Sequence, residues 1–201
     1  MSETYPGGQP NPEAAAASGD AAEVEAGQSP EQDRGQLHPA IWVGSLLDYT
    51  NGILHGDWLN AARDVEELHT DIQRIMAISP TTRQTGEPAE EWGIFDYEDF
   101  GTWKPGEYED LTIVAAIARG IAEHGPAFAA WADLHDADPD MLDGFGDAYL
   151  GEYDSLDVWA ESVMDEMGTR DEIDRVLEEK VGDIAVIHKP GGGVWVFNAN
   201  P

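Results

Sequence analysis

The chain has 201 residues, with 41 Asp and Glu against 10 Lys and Arg, and a formal net charge of −31. Recognition of phosphates needs clustered Lys and Arg, so this composition excludes nucleic acid as a partner and points to a basic surface or to cations. The absence of cysteine excludes disulfides and thiolate metal sites. No basic stretch leads an apolar core near the N-terminus, and no run of about 18 apolar residues occurs, so the cytoplasm is the expected location and a membrane is not an expected partner.

Residues 1–36 read as an acidic, disordered tail rich in Pro, Gly and Ala. Between Tyr5 and Leu37 the only branched aliphatic residue is Val24, too little apolar area to offset the entropy of ordering. From Leu37 the composition changes. Ala40–Leu47 reads as a strand with Ile41, Val43 and Leu47 on one face. Asn51-Gly52 reads as a hairpin turn and Ile53–Leu59 as the returning strand. Asp64–Ile78 has the stripe of a helix in Val65, Leu68, Ile72, Ile75 and Met76, and Asp64 and Glu67 are spaced as a capping box. A Thr/Arg/Gly/Pro loop follows, then a strand over Trp92–Tyr97.

Leu111, Val114, Ala118 and Ile121 mark a helix that stops at Gly125-Pro126, with shorter helical segments at Ala127–Leu134 and Met141–Leu150. Ser155 caps a further helix that buries Leu156, Trp159, Val163 and Met167 and ends at Gly168. Thr169 and Glu172 then form a capping box for Asp171–Lys180. Asp183–Lys189, a Pro-Gly-Gly-Gly turn and Val194–Asn198 close the series as a β-hairpin. The expected fold is therefore α+β, an elongated chain of three small subdomains. Residues 37–103 form an antiparallel sheet with one helix, residues 104–149 a helical unit, and residues 150–201 helices with a β-hairpin or small sheet.

The tail carries only −6 of the charge, so −25 belongs to the expected folded part. From Gly120 to Thr169 there are 13 acids and no Lys or Arg, among them Asp136, Asp138, Asp140, Asp143, Asp147, Glu152, Asp154, Asp157, Glu161, Asp165 and Glu166. Gln84–Trp103 is also free of bases and holds Glu87, Glu90, Glu91, Asp96, Glu98 and Asp99. Duplex DNA carries one charge per ~1.7 Å, so 25 charges along one body would match roughly 40 Å of duplex. Proteins from a high-salt cytoplasm are also acidic, but on every face. Concentration along one track would separate the two readings.

The catalytic motifs fail individually. Asp136, Asp138, Asp140 and Asp147 fall at positions 1, 3, 5 and 12 of a calcium loop, but Met141 stands where the sharp turn needs Gly and Asp147 where a longer Glu is usual. An acidic interhelical loop is the better reading, and no metal or cofactor is expected. The glycines after Pro190 precede a strand and lack the Lys-Ser/Thr of a phosphate loop. No HExxH pair occurs, and Ser45 has no nucleophile elbow around it. The Trp residues at 42, 92, 131, 159 and 195 fall mainly on faces expected to be buried and read as core.

Several segments in order resemble the ArdA-type antirestriction proteins. They are Ile41-Trp42-Val43 with Tyr49-Thr50-Asn51-Gly52 and Leu54-His55-Gly56-Asp57-Trp58-Leu59, then Glu90 through Gly101, Glu123 through Phe128, Gly151 through Leu156, and Gly192 through Phe197. The resemblance implies a homodimer of three-unit chains forming a curved acidic body that imitates bent B-form DNA. It also implies carriage by a mobile genetic element in a bacterial host. The implied activity is non-enzymatic: inhibition of type I restriction-modification enzymes by occupying the DNA groove of their specificity and methyltransferase core. Asp96, Glu98, Asp99, Glu107, Glu109, Asp110, Glu152, Asp154 and Asp157 match the family's acidic track and would stand in for phosphates. The tail has no counterpart in the shorter family members. Two other readings stay open on the residues alone: a regulator of a different basic DNA-binding protein, and a salt-adapted acidic protein of other function.

Overall fold

The computed structural model describes residues 37–164 and 169–200. Its first sheet centres on β1 (Ala40–Ser45), which pairs antiparallel with β2 (Gly56–Asn60) on one edge. Ile41, Val43 and Ser45 are buried on one face, while Trp42 is half-buried on the other, where Gly44 lies covered by the Trp42 and Phe95 rings. Between β1 and β2 the chain makes a short helix, α1 (Leu46–Thr50), where a strand end and hairpin turn were expected. Ser45 is its N-cap, with Oγ accepting from the Asp48 N–H at 3.2 Å. Asn51 is the C-cap and Gly52 follows at φ 77°, so the Asn-Gly pair ends a helix and not a strand.

The expected helix is α2 (Val65–Ala77), whose Leu68, Ile72, Ile75 and Met76 are buried against β1, β2 and a later helix. Full burial of such side chains contributes roughly 1.5–3 kcal/mol each before entropy is charged. Asp64 is the N-cap residue, but its side chain makes no capping bond, so the box expected with Glu67 does not form. The loop expected next contains α3 (Pro80–Thr85), with Ser79 as N-cap, Pro80 in the first turn and Gly86 left-handed at its end. β3 (Trp92–Glu98) then pairs with β1 on its other edge, giving the order β2-β1-β3, with a bulge at Trp42/Val43.

In the middle, α4 (Leu111–His124) packs on α5 (Pro126–Leu134). A Cβ at Gly120 would lie 2.3 Å from the Phe128 ring, so glycine is what permits this approach. Trp131, from α5, is fully buried and donates its indole N–H to the Met141 carbonyl at 2.7 Å. The segment expected to be helical over Met141–Leu150 divides at Gly144 into α6 (Pro139–Asp143) and α7 (Phe145–Ala148). It runs straight into an unexpected strand, β4 (Tyr149–Tyr153).

After α8 (Leu156–Ser162) and α9 (Arg170–Lys180), the expected hairpin appears as β5 (Ile184–His188) and β6 (Val194–Asn198). The Thr169–Glu172 capping box is present as expected. Met167 and Gly168 lie outside the described residues. β6 is the middle strand of a second antiparallel sheet, ordered β4-β6-β5. Its alternate residues serve two different cores: Trp195 and Phe197 join the cluster that runs through Trp131 and α4 to β1. Val194 and Val196 join Trp159, Ala160 and Ile173. The architecture is α+β, as expected from the sequence. Among the described residues, no helix is long and apolar enough to cross a membrane.

Candidate functional site

The first group of expected acids sits on an edge strand and the loop that follows it. Asp96 and Glu98 are two residues apart on β3 and both are exposed. Asp99 leaves the strand with φ 62° and accepts from the His38 N–H at 3.1 Å. The loop turns back over the buried Trp103 and Pro105, and the Glu107 carbonyl accepts from the Ile94 N–H at 2.8 Å. That bond holds Glu107 beside Ile94 of β3, which lies well before it in the sequence. Glu109 is half-buried and accepts weakly from the Gly106 N–H at 3.4 Å. Asp110 caps α4, accepting from the Thr112 N–H at 2.7 Å, and this bond holds its carboxyl below the usual range. Among the described residues, no Lys or Arg ion-pairs with Asp96, Glu98, Glu107, Glu109 or Asp110.

The second group surrounds α6 and α7. Asp136 and Ala137 adopt left-handed φ of 50° and 57°, which turns the chain out of α5. Asp138 then caps α6 by accepting from the Asp140 N–H at 3.0 Å. Asp140, Asp143 and Asp147 are exposed on α6 and α7. The cap commits one oxygen of the Asp138 carboxylate to the start of α6. Among the described residues, no three His, Asp or Glu side chains converge on a metal-sized site.

The third group differs in its partners. Glu152, on β4, forms an ion pair with Lys189 and accepts from the Trp195 indole N–H at 3.0 Å. Lys189 first, then Trp195, holds the Glu152 carboxyl below its ordinary value against a smaller effect of burial. Asp157, on α8, ion-pairs with Arg170, which also meets Asp174 at 2.9 Å. Asp154 and Glu161 are exposed. Asp165 and Glu166 lie outside the described residues.

Two features were missed or misread in the sequence, the buried Asp48 and the placing of two Trp residues. Asp48 is completely buried, and its Oδ1 accepts from the Thr81 N–H at 2.8 Å. Burial opposes its ionisation, but hydrogen bonds from Thr81, Ser79 and Ser45 outweigh that and hold the carboxyl well below the usual range. The Thr81 N–H bond is the firm one, because no donor meets Oδ2 in good geometry. This acid ties α1 to α3 and is not part of any surface. Trp42 and Trp92, read as core, are only half-buried, whereas Trp131, Trp159 and Trp195 are buried. Glu90 and Glu91 are exposed beside Trp92.

The fold and this surface define an α+β protein that presents exposed carboxylates from edge strands, loops and short helices. The model of the antirestriction protein (ArdA) family matches residues 41–182, more than two thirds of the chain, and the protein belongs to that family. Antirestriction is therefore its general function, and restriction-modification enzymes are the class of target. No individual curated protein matches the chain. The family match stops at Gly182, so the β5–β6 hairpin lies beyond it.

Proposed function

We propose that this protein imitates B-form DNA and inhibits type I restriction-modification enzymes by occupying the DNA groove of their specificity and methyltransferase core. The observation that carries the reading is the group Asp96, Glu98, Glu107, Glu109 and Asp110, placed on β3 and on the segment leading into α4, with no Lys or Arg ion pair among the described residues. Two residues along a strand advance about 6.8 Å. Neighbouring phosphates on one DNA strand lie a similar distance apart through space, so Asp96 and Glu98 can stand in for adjacent phosphates. Asp99, Asp136, Asp138, Asp140, Asp143, Asp147, Asp154 and Glu161 extend the surface in this proposal. Glu152 and Asp157 contribute less because Lys189 and Arg170 already compensate them.

In this reading the protein acts as a cytoplasmic homodimer of three-unit chains, needs no cofactor and catalyses nothing. Affinity comes from charge complementarity, so it falls steeply with salt. The test is competition: purified protein is titrated against a type I methyltransferase core bound to its DNA at low and at moderate salt. Displacement at low salt that weakens as salt rises supports the reading. DNA that stays bound at every protein concentration at low salt overturns it.

A further inference from the structure

Three depressions in the surface, of about 610, 430 and 390 Å³, meet at Trp92. His69 joins the first to the second, Tyr108 the second to the third, and Glu90 the third back to the first. The largest has an apolar floor that includes Ile72, Met76 and Ala89. Thr82 also lines it, and the Thr82 hydroxyl is covered from solvent without a hydrogen-bond partner. The rim carries Glu90, Glu91, Glu109 and Asp110, and among the described residues no Lys or Arg lines any of the three. Tyr108 stands 70% exposed at the mouth.

A surface that only imitates phosphates needs charge and no apolar floor. We infer that this cleft anchors an arginine side chain presented by a basic DNA-binding protein. Its methylenes lie on the apolar floor, and its guanidinium stacks on Trp92 and Tyr108 within reach of the rim carboxylates. Charge complementarity selects a cation, and the floor selects one with a long apolar stem. The two rings, flanked by the rim carboxylates, select the planar guanidinium over an ammonium. The inference rests on the proposed function only for the identity of the partner.

The full chain is titrated with hexa-arginine and hexa-lysine peptides, alongside Trp92→Ala, Tyr108→Ala and, as a control outside the cleft, Trp58→Ala. All variants keep the net charge of −31. Stability is checked by thermal unfolding, and exposed Tyr108 supplies a variant that does not disturb the core. The expected result is tighter binding of the arginine peptide and its weakening by about fivefold in Trp92→Ala and Tyr108→Ala. Trp58→Ala should bind as the parent does. Equal affinity for the two peptides overturns the inference, as do cleft variants that bind like the parent, equal losses in all three variants, or a homodimer that dissociates on Trp92→Ala. The same variants are then tested on the methyltransferase core. If the parent fails to bind that core while the peptide results hold, the proposed function fails and the arginine cleft stands.

Discussion

The acids of Gln84–Trp103 and those after α5 look alike in sequence, since each set lies in a stretch without Lys or Arg, and Glu107 follows just beyond Lys104. In the fold they differ. Around β3 the carboxylates of Asp96, Glu98 and Glu107 meet no Lys or Arg among the described residues, whereas Glu152 and Asp157 are met by Lys189 and Arg170. Arg170 is one residue past the base-free stretch, and Lys189 reaches Glu152 because β4 and β5 flank β6 in one sheet. Counting charges along a chain therefore overstates how much acid a partner meets, because tertiary structure imports cations from outside the stretch.

The largest effect expected here concerns Asp48, a fully buried acid that belongs to neither surface. Asp48→Ala leaves the Thr81 N–H buried and unpaired, and unfolding by urea should show a loss of about 1–3 kcal/mol. Because the Asp48 pKa is lower in the folded state, its contribution is complete above the unfolded value near 4 and disappears as pH falls below it. Asp48→Asn should therefore flatten the acid limb of the stability profile, and a parent-like limb in that variant would show that the charge plays no such role.

A direct contrast of the two groups comes next. Asp96→Asn, Glu98→Gln and Glu107→Gln together should weaken competition with DNA about tenfold at low salt, at about 0.5 kcal/mol for each exposed pair formed with the enzyme. Glu152→Gln with Asp157→Asn should cost the enzyme complex less. Equal effects would erase the distinction drawn above. Removing the imported cations sharpens it: Arg170→Ala and Lys189→Ala should each lower stability only slightly and leave competition undiminished. The smallest expected effect is that of calcium. Millimolar calcium should give no saturable heat in calorimetry, since Asp138 Oδ1 caps α6 and Met141 stands where the loop needs Gly.

The extent to which the fold could be read depended on signal length. The stripes of α2 and α4 repeat over several turns, and both were legible, as were β1, β3 and the β5–β6 hairpin. The short elements were not. α3 has a Ser N-cap, a Pro in its first turn and a left-handed Gly at its end, but six residues are too few for an apolar period, so those caps read as a loop. In α1 the Leu46-Leu47 pair continued the strand pattern, and only the Ser45 cap marked the change. β4 follows α7 without a turn residue, and its partner β6 lies more than 40 residues on, a pairing no local pattern announces. At the site, exposure of the carboxylates followed from composition. Their ion pairs, the buried Asp48 and the cleft at Trp92 depended on contacts between distant segments.

The two-faced burial of β6 also sets an order of events during synthesis. Tyr149–Tyr153 leaves the ribosome more than 40 residues ahead of the strand that pairs with it, and Trp131 waits longer for Phe197. Closing such distant pairs is slow compared with forming helices. Until Val194–Asn198 emerges, both the cluster around Trp159 and the far end of the larger core lack a wall. The nascent chain therefore passes through an interval in which its acidic segments exist but the scaffold that spaces them does not. The spacing of the acids on β4 and α8 is fixed only once β6 has joined the sheet.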